Sequence, residues 1–115
     1  MSERAGRDLS LEAQRIGDFW ARIRTIEAAG DIDGSIRLLL GECDLTEQTD
    51  ERMQWGVAPA PYWRLAILYR RRKQFADELA ILERYDRQRK APGSMPARLA
   101  DRLQKVRTRN ARLAP

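Results

Sequence analysis

Apolar side chains in this chain return every three or four residues and almost never every two. Ile16, Phe19, Trp20, Ile23 and Ile26 fall at i, i+3, i+4, i+7 and i+10, which traces one stripe along an α-helix. No segment alternates apolar with polar residues for long. The Asp33-Gly34 pair lies between helical patterns rather than between two β-branched runs, so it does not signal a hairpin of strands. The expected fold class is all-α: antiparallel helical hairpins stacked as a short array.

The same periodicity divides the chain. A first helix is expected from Leu11 to Ala29, capped by Ser10 and stopped at Gly30, where the left-handed conformation of a helix end costs glycine nothing. Asp31 or Asp33 caps a second helix through Cys43, with Ile36, Leu39, Leu40 and Cys43 inward. The short connection makes these two an antiparallel pair, a first hairpin over residues 9–43. Between residues 44 and 60 the pattern lapses into an acidic stretch and then Gly56, Pro59 and Pro61, a connection holding at most a short helix over Glu47–Trp55. A second hairpin spans residues 61–90. Its first helix, Pro61–Lys73, carries Tyr62, Leu65, Ala66 and Tyr69. Its second, Phe75–Arg89, carries Leu79, Leu82 and Tyr85, flanked by Ile81. After Lys90-Ala91-Pro92-Gly93, Ser94 caps a basic helix over 94–112 with Leu99, Leu103 and Val106 as a narrow apolar stripe, the pattern of a terminal capping helix. All of this reads as one domain, residues 1–115.

The spacing Tyr62-x2-Leu65-Ala66-x2-Tyr69, followed by Phe75, Leu79 and Leu82, resembles the tetratricopeptide repeat over residues 60–86. Gly30, Ile32, Ser35, Ile36 and Leu39 fit the second helix of an earlier repeat. Some positions depart from the pattern. Glu78 stands where the repeat has alanine at a close helix crossing, Lys73 replaces the glycine of the turn, and Arg22 takes a leucine position. The two units are also offset by 43 residues, from Arg22 to Leu65, against about 34 in the family. The chain is therefore tetratricopeptide-like, either a degenerate member or an independent stack of helical hairpins, and the resemblance implies a concave groove lined by the exposed face of the second hairpin's first helix. Those positions are Trp63, Ile67, Arg70 and Arg71. Helix geometry alone also puts these four on one face, offset from Tyr62, Leu65 and Tyr69, so Trp63 and Ile67 either pack against the first hairpin or form an exposed anchor beside the two guanidiniums.

Composition narrows the function classes. The chain has no histidine and one cysteine among 115 residues, so the usual general base, a zinc site and an internal disulfide framework are all missing. Phosphate-cradling glycine motifs do not occur. Neither a catalytic site nor a metal or other cofactor is expected. The carboxylate pairs Asp31/Asp33, Asp50/Glu51 and Asp77/Glu78 stand in polar segments or where helix starts already favour acids. Cys43 is flanked by Glu42 and Asp44 and reads as a small core residue. Apolar runs are too short to span a bilayer, and the charged stretch Met1–Asp8 has no apolar run behind it like that of a signal peptide. A cytoplasmic protein away from the membrane is the expectation.

Charge supplies the positive signal. Residues 1–60 hold 7 basic and 12 acidic side chains, and residues 61–115 hold 15 and 5. Such asymmetry favours an acidic partner or head-to-tail pairing of copies; a basic half built mostly from arginine is also what GC-rich coding yields. Aromatic plus arginine is the usual composition of an interface hot spot. The expected function is a non-catalytic protein–protein interaction module, an adaptor or small subunit. It presents Trp63, Ile67, Arg70 and Arg71 to an acidic protein or peptide, with a homodimer as a further expectation. The alternative is nucleic-acid binding along the basic C-terminal helix, through Arg98, Arg102, Lys105 and Arg109.

Overall fold

The computed structural model describes the backbone of residues 3–113 and the side chains of residues 9–113, which leaves the side chains of the Met1–Asp8 stretch outside it. Five helices follow one another: α1 (Glu3–Ala28), α2 (Ile32–Met53), α3 (Ala60–Arg71), α4 (Phe75–Asp86) and α5 (Met95–Leu113). Among the described residues the only extended pairing is a single parallel bridge between Val57 and Lys90. The chain is all-α, and it divides into two units, one ending at Ser35 and the other starting at Ile36.

The first unit is α1, its turn and the first turn of α2. Helix α1 begins well before Leu11, so Ser10 lies inside it rather than capping it. Its end follows the sequence. Gly30 adopts φ 83°, while its N–H bonds to Glu27 O and that of Asp31 bonds to Ile26 O. This pair of bonds satisfies the last carbonyls of the helix and requires a left-handed residue. Asp31 is the cap that starts α2: its Oδ1 accepts from the Gly34 N–H at 2.9 Å. The buried Ser35 hydroxyl donates to Glu27 across the turn at 2.9 Å.

In the second unit α2 does not stop at Cys43; it runs on to Met53 as one helix. The inward stripe changes chemistry there without changing period. After Ile36, Leu39, Leu40 and Cys43, the positions facing the same way are Glu47 and Asp50. Glu47 accepts from the Tyr62 hydroxyl at 2.5 Å and from Arg84 Nε at 2.7 Å. Asp50 accepts from the Gly56 N–H at 2.7 Å and lies 3.5 Å from Arg89 Nε. Hydrogen bonding thus replaces apolar contact in the second half of α2. Gly56, at φ 85°, brings the chain against the Lys90–Ala91 backbone, where a Cβ would overlap main-chain atoms.

Helix α3 packs on α4, and α4 on α5. Their core is Tyr62, Leu65, Ala66, Leu68, Tyr69, Ile81, Leu82, Tyr85, Leu99, Leu103 and Val106, all buried. The stripes expected for α3 and α5 are therefore inward; in α4, Leu82 and Tyr85 are buried, Ile81 joins them, and Leu79 is half-buried. The α3–α4 turn closes as a left-handed C-cap with Lys73, not glycine, at φ 58°. Its N–H bonds to Arg70 O, and that of Gln74 to Tyr69 O.

Candidate binding groove

Helix α3 buries Leu65, Leu68 and Tyr69 on one side. The opposite side therefore has to carry Trp63, Ile67, Arg70 and Arg71. Trp63 and Ile67 are half-buried, and Arg70 and Arg71 are exposed. Together with Ala66 and Arg102 they line one cavity of about 220 Å³. Ala66 is the small residue at its floor, 2% exposed.

The two residue sets separated in the sequence partly converge here. Arg102 comes from α5 to line the cavity wall, and the Arg98 guanidinium lies over the Trp63 ring, 5.1 Å from its centroid. At that distance the ring face attracts the cation. The other two bases of the second set lie elsewhere. Lys105 pairs with Asp101 one turn away at 3.0 Å, both side chains mostly in water. Arg109 turns inward.

Glu78 explains why Arg102 and Arg109 turn as they do. It is completely buried. Arg102 Nη2 donates to one carboxylate oxygen at 2.8 Å, and Arg109 Nη2 to the other at 2.6 Å. Arg109 also stacks on Phe75 at 4.5 Å. A buried carboxylate demands such partners, because an isolated charge in the interior is heavily penalised. Glu78 thus holds α5 against α4 and fixes the arginine that lines the groove. Sequence reasoning placed Glu78 among acids favoured by a helix start and missed this role. A signal was present: Arg102, Val106 and Arg109 share one face of α5 with the buried stripe, opposite a glutamate standing where an alanine was expected.

A second polar cluster joins α2 to α3 and α4. Arg84 reaches Glu47 and Asp44, each at 2.7 Å. The Glu47 bond, followed by the weaker opposing effect of burial, keeps the Arg84 guanidinium even harder to deprotonate than usual. Burial, then the bond to Glu47, raises the Tyr62 phenol far above its ordinary range. Burial likewise pushes the Cys43 thiol up to about 12. Cys43 is fully buried and is an inert core residue.

The groove offers a ligand apolar contact and positive charge; its lining contains no ionisable groups other than guanidiniums. Two larger hollows, of about 420 and 370 Å³, lie near the end of α5. Neither sets an indole beside several guanidiniums. Among the described residues, no group of histidine, cysteine or acidic side chains is placed to hold a metal ion. Nor is any helix long and apolar enough to cross a membrane. Compared with family models, curated proteins and solved structures, the chain matches none.

Proposed function

We propose that this chain is a non-catalytic, tetratricopeptide-like interaction module whose α3–α5 groove takes an acidic segment of a protein partner bearing at least one large apolar side chain. The observation that carries this is the cavity formed by Trp63, Ile67, Arg70, Arg71 and Arg102 over Ala66. The indole and the isoleucine supply apolar contact, and the guanidiniums supply planar donors for carboxylates. The basic half of the chain adds long-range attraction for the same partner.

Nucleic-acid binding is the weaker alternative. It needs the α5 bases free for phosphates, yet Glu78 neutralises much of the charge of Arg102 and Arg109, and Lys105 faces Asp101. Titration of a labelled Asp/Glu-rich peptide containing leucine and tryptophan, followed by fluorescence anisotropy, separates the two. Trp63→Ala is expected to weaken peptide binding about thirtyfold, the loss typical of a hot-spot aromatic. Duplex DNA is expected to bind only weakly. Tight duplex binding whose logarithm falls steeply with log salt, unaffected by Trp63→Ala, would favour phosphate contacts instead.

A further inference from the structure

We infer that the anionic group read by this groove is a phosphate monoester on an aromatic ring: a phosphotyrosine of the protein partner, its ring against Ile67 and its phosphate among Arg70, Arg71 and Arg102. The inference deepens the reading above and rests on it.

The charge count points to a dianion. Arg70, Arg71 and Arg102 line one cavity from two helices, and no carboxylate lines it with them. Arg70 and Arg71 are exposed, and no ion pair joins either to a described residue. Arg102 shares Glu78 with Arg109, so one carboxylate stands between two guanidiniums and a positive charge is left over there as well. The hollow therefore keeps two whole uncompensated charges and part of a third, which repel one another until a ligand answers them. At about 220 Å³ it is smaller than the roughly 300–1,000 Å³ of sites for whole small molecules, a size for one side chain rather than a run of acids. A single carboxylate brings one charge and two oxygens. A phosphate monoester brings about 1.5 to 2 negative charges and three acceptor oxygens, and guanidiniums grip it bidentately.

Spacing decides what joins that phosphate to its chain. Arg70 and Arg71 follow Ile67 by three and four residues, so they stand about one turn further along α3, one to either side of it. A side chain that lays a ring on Ile67 and ends in a phosphate one turn on meets all three. Phosphoserine holds its phosphate close to the backbone and leaves this apolar wall uncovered. Arg98 over the Trp63 ring holds the indole as a fixed wall beside the incoming ring.

The test uses the full chain and the labelled acidic peptide above, its tryptophan replaced in turn by phosphotyrosine, tyrosine, glutamate and phosphoserine. Anisotropy should show phosphotyrosine bound about thirtyfold tighter than the other three, the worth of about one added charge-assisted hydrogen bond. Arg70→Ala with Arg71→Ala should remove that preference. Arg87→Ala with Arg112→Ala takes away two exposed bases outside the groove lining and should keep it. Circular dichroism checks each fold, with Arg70→Gln and Arg71→Gln as a second groove pair. The phosphate's second ionisation, near pH 6, adds a readout. The charges facing it are Arg70 and Arg71 on α3 and Arg98 and Arg102 on α5, with Glu78 of α4 behind Arg102; guanidiniums do not titrate there, and the chain has no histidine. Affinity for the phosphotyrosine peptide should rise between pH 5 and 7, while that for the glutamate peptide stays level. A phosphotyrosine peptide that binds no tighter than the glutamate one, is matched by phosphoserine, shows no rise with pH, or keeps its preference without Arg70 and Arg71 overturns the proposal, as does a preference lost equally in the distant pair. If the tryptophan peptide still binds in a Trp63-dependent way, the groove stands and only the phosphate falls. If no peptide binds, both fall.

Discussion

Glu78 and Glu47 each receive an arginine from a helix distant in sequence, but one is sealed and the other sits at the water's edge. Glu78 is fully buried between Arg102 and Arg109. Glu47 is 23% exposed and shares Arg84 with Asp44, which is 62% exposed. The attraction across a pair changes less between the two sites than the penalty for leaving one member alone. In the interior an unpaired charge has no water to turn to, whereas at the edge it does. Near-identical contact distances therefore carry different structural weight. The Glu78 cluster fixes where α5 lies, and the Glu47 cluster mainly aligns α2 beside α3 and α4.

Breaking the sealed cluster should have the largest effect. Glu78→Ala leaves two guanidiniums facing a cavity, and a loss of about 3–5 kcal/mol is expected in urea or thermal unfolding, enough to loosen α5. At the edge, Arg84→Ala should cost about 1–2 kcal/mol, since Glu47 keeps the Tyr62 hydroxyl and regains water. A loss as large as that of Glu78→Ala would erase the contrast. The smallest effect concerns alkali. Cys43 has its pKa raised by folding, from 9.0 to about 12, and Tyr62 is raised in the same direction. A raised pKa means that the folded state holds its proton more tightly than the unfolded chain. That contribution is complete below about pH 9 and declines above it as the unfolded thiol, and then the phenol, ionise. Stability measured between pH 8 and 10.5 should fall gradually, and Cys43→Ala should flatten the first part of the decline.

The same contrast explains what sequence periodicity could and could not reveal. The stripes Tyr62/Leu65/Tyr69 and Leu99/Leu103/Val106 were legible because burial of apolar surface repeats with the helix turn. Gly30 was legible because few residues tolerate its conformation. The second half of α2 was not, because its inward positions are Glu47 and Asp50 and the apolar pattern stops where hydrogen bonds take over. The groove was half legible. Trp63, Ile67, Arg70 and Arg71 follow from one helix, but Arg98 and Arg102 join them only through the packing of α4 and α5. The bond from Arg109 to Glu78 was not legible for the same reason: the two are 31 residues apart, and no local spacing connects them.

The central claim is that the positive charge of the C-terminal half is divided. Arg102 and Arg109 anchor α5 on Glu78, while Arg70 and Arg71 stay exposed at the groove rim. Paired urea unfolding of Arg109→Ala and Arg70→Ala tests that division most directly. The account predicts a large drop in midpoint for Arg109→Ala, with a stability loss of about 3 kcal/mol or more, and an unmoved midpoint for Arg70→Ala. Equal midpoints for the two variants would contradict it.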